Sequence, residues 1–334
     1  MGCPGLTRIA CSIDQDARGR HIGHLGVPFS DDAHAYGVIP VPIAVLAGGT
    51  GPTVLLAAGV HGDEFEGQVV LRRLIRTLDP GRLSGRLIVL PALNLPAVRA
   101  ARRTSPVDGA NMNRAFPGDP DGGPTAQIAH YVEAVLLPRC QAALDLHSGG
   151  VTGEYLPCAY LYAGGPMAAA KVAMADAFGA PLAIVVGATA ETRSLSAACE
   201  RQGVPMIATE LGGGGGLSCA ALDVAEQGVW AVLRHLGLLP AEACDVGRRT
   251  RRVEVPDRGH FLMAPATGLF EPLVWLGDSV AEGDMAGWLH DGDDPAVAPR
   301  EVRFTHPGLI VARRVPAMAK RGDTLFTTAC PQAA

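Results

Sequence analysis

The chain has 334 residues, enough for one large domain or two ordinary ones. Its 28 basic and 33 acidic residues leave a net charge of −5, which excludes the basic footprint of a nucleic-acid binder. A hydrophobic content of 48% provides for a sizeable core, yet no apolar run reaches the ~18 residues a membrane span needs.

The N-terminal stretch MGCPGLTRIACSID lacks the apolar segment of a signal peptide, and Leu6 stands where a myristoylation motif asks for Ser or Thr. The eight cysteines are scattered with no C-x-x-C pair, which argues against a zinc ribbon or a disulfide scaffold and fits a reducing compartment. A soluble cytoplasmic protein with no membrane partner is expected.

Short β-like runs come first, among them VIPVPIAVLAGG (Val38 to Gly49), followed by TVLLAAG as a buried strand. EFEGQVVLRRLIRTL reads as a helix with Phe65, Val69, Leu74, Ile75 and Leu78 on one face and arginines opposite, ended by Pro80 and Gly81. RLIVLPALN is the next strand. Leu95 to Gly123 is rich in Pro, Gly, Asn and Arg and shows no period; a loop of that length in a compact domain is usually functional or disordered. TAQIAHYVEAVLLP is a helix, and AALDLHSGG a strand ending in a histidine.

The alternation continues through strand CAYLYAG, helix PMAAAKVAMADAFG, strand LAIVVG, helix SLSAACERQ, strand VPMIATELGG and an apolar helix from about Ala220 to Leu238. Such a series predicts an α/β fold with a mixed, mostly parallel sheet covered by helices on both faces. After Pro240 the texture changes. GRRTRRVEVPDRGH reads as a charged linker, and short β runs separated by Gly-Asp turns follow. GLFEPLVWLGDSVAEGD and GLIVARRVPAMAKRGD look like two copies of one unit. The expected organisation is a catalytic α/β domain over residues 1–245 and a small C-terminal β domain over 246–334. The turns of the latter resemble biotinyl/lipoyl-type barrels, without a lysine at a hairpin tip, so its expected role is packing, gating or oligomer contact.

VLLAAGVHGDEFEG places His61, Asp63 and Glu64 just past a buried strand, and strand ends in α/β sheets are where sites are built. His61 and Glu64 are spaced H-x-x-E, which one short turn brings onto one metal ion; alone, the pair is equally readable as a packed imidazole and an acid capping a helix dipole. His147 ends a strand that a parallel sheet can set beside TVLLAAGVH. His61, Glu64 and His147 then form the His₂Glu set of a zinc site with a position left for water. Asp145 shares a strand face with His147 and can orient its imidazole. Glu210 ends strand VPMIATE, either as a salt-bridged structural acid or as the base that takes a proton from water and returns it to a leaving amine. In NMNRAFPGD, Asn113 and Arg114 suit a substrate carboxylate, Arg102 or Arg103 could polarise a scissile carbonyl, and Arg193 is a further candidate for substrate contact. His21 and His24 (HIGH) have ligand-like spacing but no acid partner, and the other histidines are isolated. The glycine run Gly212 to Gly216 fits no phosphate loop and is expected to let the backbone turn tightly beside the site.

HGDE, NMNRAFPG, DLHSGG and ATELGG, in this order and rough spacing, resemble the succinylglutamate desuccinylase/aspartoacylase family of the zinc carboxypeptidase-like fold. The similarity covers about Val38 to Leu238, and a C-terminal β domain is usual in that family. The resemblance implies one zinc per chain on His61, Glu64 and His147, Glu210 as catalytic base, and Asn113–Arg114 on the substrate's α-carboxylate. Arg103 matches the family's upstream arginine loosely. SPVDGANMNRAFPGD and TELGGGG are closest in wording to the branch that deacetylates N-α-acetyl-L-2,4-diaminobutyrate in ectoine breakdown. The expected function is thus zinc-dependent amide hydrolysis of a small N-acyl amino acid by a homo-oligomeric enzyme. A desuccinylase, another deacylase or a metallocarboxypeptidase is the near alternative, and a non-catalytic zinc-binding recognition protein the remote one.

Overall fold

Apolar runs separated by amphipathic helices build a mixed sheet, described in a computed structural model over residues 7–32, 34–162, 164–186, 191–241 and 250–332. The first six residues, the expected boundary at 245/246 and the start of the charged linker lie outside the described residues. In chain order the elements are β1 (Ala10–Cys11), β2 (Gly19–Phe29), β3 (Gly37–Ala47), β4 (Thr53–Ala58), α1 (Glu66–Thr77), β5 (Arg86–Leu90), α2 (Leu95–Ala100), α3 (Pro124–Tyr131), β6 (Ala142–His147), β7 (Gly153–Tyr155) and β8 (Cys158–Tyr162). They continue with α4 (Ala168–Phe178), β9 (Leu182–Val186), α5 (Leu195–Gln202), β10 (Met206–Glu210), α6 (Cys219–His235), β11 (Arg251–Val255), β12 (Phe261–Met263) and β13 (Gly268–Pro272). The last are β14 (Ser279–Val280), β15 (Met285–His290), β16 (Arg300–Arg303), β17 (Gly308–Arg314), β18 (Met318–Ala319) and β19 (Thr324–Pro331).

Strands β5, β4, β6 and β10 lie side by side in parallel, with β3 antiparallel on one flank and β8 antiparallel on the other. Every residue of β4 is buried, as expected for a strand covered on both faces. Alternation then assigns the faces: Val54 and Leu56 pack with α1, α4 and α6, while Leu55 and Ala57 pack with α2, α3 and α5. Truncating Leu71, which is fully buried in the first of these layers, to alanine costs about 2–5 kcal/mol.

Two expectations need correction. The core face of α1 is Val70, Leu71, Leu74 and Ile75, with Phe65 and Val69 only half-buried. The helix packs on β4 and β6 and also on α6, so its buried arc is wide and centred elsewhere. The stretch Leu95 to Gly123 is not wholly irregular: it opens with α2 and includes a short 3₁₀ turn at Met112–Arg114. A helix of six residues is too short to show a period.

Beyond residue 250, β11 does not start a separate sheet. It pairs in parallel with β9, and β19 returns to pair with it, so the large sheet runs on through β19, β17 and β14. A second, antiparallel sheet has the order β16-β15-β13-β18. The internal duplication has a structural counterpart in exchanged pairings. The first strand of one copy, β13, pairs with β18 of the other, and β14 pairs with β17. The Gly-Asp turns are alike as well. Asp278, Asp284 and Asp323 each accept a hydrogen bond from the backbone N–H three residues earlier, and Gly277, Gly283 and Gly322 take positive φ.

Candidate active site

Because β4, β6 and β10 are adjacent and parallel, their C-terminal ends deliver side chains to one place. His61 and Glu64 follow β4, His147 ends β6, and Glu210 ends β10 directly opposite His147. The tight turn carrying His61 and Glu64 depends on Gly62, where a Cβ would lie 2.0 Å from backbone atoms of Ala97 in α2. Gly62 N–H also donates to the Arg102 carbonyl. After His147, the chain turns against the glycine run: Gly212 to Gly215 all have positive φ, and a Cβ at Gly213 would sit 2.3 Å from the Gly153 carbonyl. The expectation of a tight backbone turn there holds.

Glu64 lies between two imidazoles. Its Oε1 is 2.7 Å from His61 Nδ1 and its Oε2 is 2.7 Å from His147 Nδ1. All three residues are buried, and one donor atom from each lies within 4.8 Å of the others. Burial alone would raise the Glu64 pKa, but the His147 and His61 rings hold it well below the usual carboxylate range.

The far nitrogens decide what this trio can hold. His147 Nε2 is 2.7 Å from Asp145 Oδ2, the orienting contact expected of Asp145. His61 Nε2 is 3.1 Å from Asn111 Oδ1, an oxygen that also accepts from Asn113 N–H. Both partners only accept, so Nε2 of each ring donates a proton to its partner and Nδ1 is the nitrogen left to face Glu64. Burial lowers the His147 pKa, but Asp145 and Glu64 outweigh it and raise it well above its ordinary value, so without a metal its Nδ1 donates to Glu64. Two imidazole Nδ1 atoms and a carboxylate thus converge on one point that calls for positive charge, filled by a proton in the metal-free protein and open to a metal ion that displaces it. The donor set of two imidazoles and one carboxylate fits a zinc-type ion, with orienting partners behind it. Asn111 was not singled out from the sequence; it stands in the same NMNR motif, which was its one signal.

Glu210 is half-buried, and its Oε2, which is inaccessible to solvent, has no hydrogen-bond partner among the described residues. Burial, and then the negative charge of Glu64, push its pKa up to about 8. Arg103 reaches the trio, with Nη1 3.3 Å from His61 Nδ1 and 3.4 Å from Glu64 Oε1. Arg102 contributes its backbone carbonyl instead.

These groups surround a cavity of about 450 Å³, a size suited to a small ligand. Asn113 and Arg114 line it, and Asn113 Oδ1 accepts from Leu195 N–H, tying the NMNR turn to the start of α5. Arg193 is not among the lining residues and pairs with Glu191. The sequence reading passed over Tyr155, Tyr160 and Tyr162, which also line the cavity. Burial foremost, with the charge of Glu210 adding to it, keeps Tyr155 protonated far above its ordinary pKa. Their signal was the period-2 spacing of two tyrosines in CAYLY. Residues 312–314 and 324–327, from β17 and β19, complete the wall.

A general-base candidate with an unpartnered carboxylate oxygen beside a cation-ready trio, at strand ends in an α/β sheet, is the arrangement of a hydrolase. Residues 50–236 match the model of the succinylglutamate desuccinylase/aspartoacylase catalytic domain. The chain is 40% identical over 331 residues to the N-α-acetyl-L-2,4-diaminobutyric acid deacetylase of Halomonas elongata, covering 98% of this chain and 97% of that one. Among solved structures, the product-bound ectoine utilization protein EutE (DoeB) from Ruegeria pomeroyi superposes with a TM-score of 0.93 at 37% identity, covering 96% of this chain and 98% of that one. A succinylglutamate desuccinylase/aspartoacylase from Rhodobacter sphaeroides gives 0.92 at 37%, covering 98% and 99%. The chain belongs to the succinylglutamate desuccinylase/aspartoacylase family.

Proposed function

We propose that this chain is a zinc-dependent deacetylase of N-α-acetyl-L-2,4-diaminobutyrate, a step of ectoine breakdown. The observation that carries the metal part of this reading is the buried convergence of His61 Nδ1, His147 Nδ1 and the Glu64 carboxylate, with each ring fixed from behind through Nε2. The substrate part is supported by the name of the Halomonas elongata relative and by the match over nearly the whole chain. His61, Glu64 and His147 would hold the zinc, which would supply Lewis acidity at the acyl carbonyl and lower the pKa of water at the site. Glu210 takes the proton of the attacking water and delivers it to the leaving amine. The Arg103 guanidinium faces the charge that develops on the acyl oxygen. Asn113 and Arg114 fix the amino-acid end through its α-carboxylate.

On this reading, residues 1–245 are the catalytic unit and residues 246–334 a β unit that closes the cavity from β17 and β19. The free thiols of Cys11, Cys140, Cys158, Cys199, Cys219 and Cys330 support a reducing compartment, the cytoplasm. The test is a hydrolysis panel of N-acetyl, N-succinyl and peptide substrates, with and without chelator. N-α-acetyl-L-2,4-diaminobutyrate should lead, and chelation should abolish turnover. Faster hydrolysis of the succinyl or peptide substrates, or indifference to chelator, overturns the reading.

A further inference from the structure

Two guanidiniums, Arg114 lining the cavity and Arg193 just outside its lining, share one acid. Glu191 Oε2 accepts from Arg114 Nε at 2.8 Å. Glu191 Oε1 accepts from Arg193 Nε at 3.1 Å and from the Arg193 backbone N–H at 2.8 Å, and Oε2 accepts from Arg193 Nη2 at 3.2 Å. The Glu191 side chain is 23% exposed, against 45% for Arg114 and 60% for Arg193, so the acid is the most covered of the three, behind Arg114, which lines the cavity. Arg114 Nη1 donates to the Asn113 carbonyl at 2.7 Å. With Nε and Nη1 both engaged, the plane of the Arg114 guanidinium is set.

Charge counting shows what this trio selects. With Arg103 turned to Glu64 at 3.4 Å and assigned above to the acyl oxygen, the two guanidiniums at the amino-acid end against one carboxylate leave a single net positive charge. The other arginines on the outer wall are matched one to one: Arg313 by Glu154 at 2.6 Å, and Arg314 by Asp323 at 3.1 Å. The mouth therefore offers compensation for one substrate carboxylate. A second carboxylate, on the substrate side chain, would feel the Glu191 charge from behind Arg114 with no cation left to pair with it, whereas a side-chain ammonium would not be repelled.

We propose that Glu191 is a specificity-determining residue that orients Arg114 and cancels one guanidinium charge, so that the site takes N-acyl amino acids with one carboxylate and rejects those with a second in the side chain. This rests on the reading above that Arg114 binds the α-carboxylate. It distinguishes this chain from activities on dicarboxylic amino acids such as those in the family's name.

The experiment compares kcat/KM for N-α-acetyl-L-2,4-diaminobutyrate and N-acetyl-L-aspartate in wild type, Glu191→Gln and Glu191→Asp. Glutamine keeps one acceptor oxygen, for Arg114, and loses the charge together with the acceptor that faces Arg193. The ratio should move about tenfold or more towards N-acetyl-L-aspartate in Glu191→Gln, mainly through KM, and stay near wild type in Glu191→Asp. Arg193→Gln, on the exposed side, should move it the opposite way and keeps the question answerable if Glu191→Gln fails to fold. Titration calorimetry with L-2,4-diaminobutyrate and L-aspartate reads the same preference without turnover. A wild type that hydrolyses neither substrate, with the calorimetric preference intact and moved by the variants, defeats the functional reading alone. Active enzyme whose preference is unmoved by Glu191→Gln and by Arg193→Gln overturns the role of Glu191.

Discussion

At the inner end of the cavity, His61, Glu64 and His147 expose between 3% and 8% of their side chains, and each imidazole has a second partner behind it. At the mouth, Arg103, Arg114 and Arg193 expose 52%, 45% and 60%. The difference is one of dielectric as much as of position. Charges at the inner end act in a dry, low-dielectric setting, where removing one partner leaves the others uncompensated. Charges at the mouth are screened by water and salt, so each contributes less and can be retuned without loss of the fold. On the proposed function, chemistry belongs to the first region and selection to the second, and substitutions should separate them by size of effect.

The largest effect is expected at His147. In His147→Ala only His61 and Glu64 remain, and two ligands rarely hold zinc against solvent. Most bound zinc should be lost on dialysis, as read by elemental analysis, and activity with it. Asn111→Ala removes only the acceptor behind His61 and should weaken zinc binding by about 10- to 100-fold. Full occupancy in His147→Ala would remove it from the ligand set.

Next in size is Glu210→Gln, which should keep fold and zinc and lose about 10²–10⁴-fold in kcat. Near-normal turnover would mean that another group is the base. The same residue should leave a mark on the metal-free protein. Its pKa is pushed up to about 8 from an ordinary 4.5, so between these pH values the native state holds a proton that the unfolded state has released. The stability this contributes is present at low pH and is lost as pH rises through the folded value. Glu210→Gln removes that dependence. Its Tm advantage over metal-free wild type should therefore widen from about pH 5 to about pH 8, and a pH-independent difference would contradict the raised pKa.

The inner end was also the more legible region in the sequence. His61 and Glu64 are three residues apart on one turn, and His147 and Glu210 interrupt apolar runs, so a parallel sheet had to bring them together. Asn111 and Glu191 carry no such mark. Both lie outside strands and helices, where nothing periodic constrains them, and their partners are distant in sequence: His61 for one, Arg114 for the other. The continuity of the large sheet past residue 250 was hidden for a similar reason. The parallel pairing of β11 with β9 is non-local, and composition announces only a change of texture. The duplication in the β unit was visible as repeated Gly-Asp turns, but the exchange of partners between its copies follows from tertiary pairing alone.

The smallest effect belongs to the mouth, and it is graded by substrate. Arg114 is held through Nε by Glu191 and through Nη1 by the Asn113 carbonyl, so a lysine at this position keeps the charge and loses the planar fork. A charge-assisted hydrogen bond contributes roughly 1.5–3 kcal/mol, or about 10- to 150-fold in kcat/KM. Arg114→Ala should fall in that range on an N-acetyl amino acid, with Arg114→Lys clearly impaired but less so. A substrate whose α-carboxylate is amidated completes the comparison. Wild type should process it poorly, and Arg114→Ala should add little further loss, because the partner of the guanidinium is already gone. Metal content should be unchanged throughout, since Arg114 is not part of the trio. Equal losses on the acid and the amide would detach Arg114 from the α-carboxylate, and a concurrent loss of zinc would show that inner end and mouth are not separable.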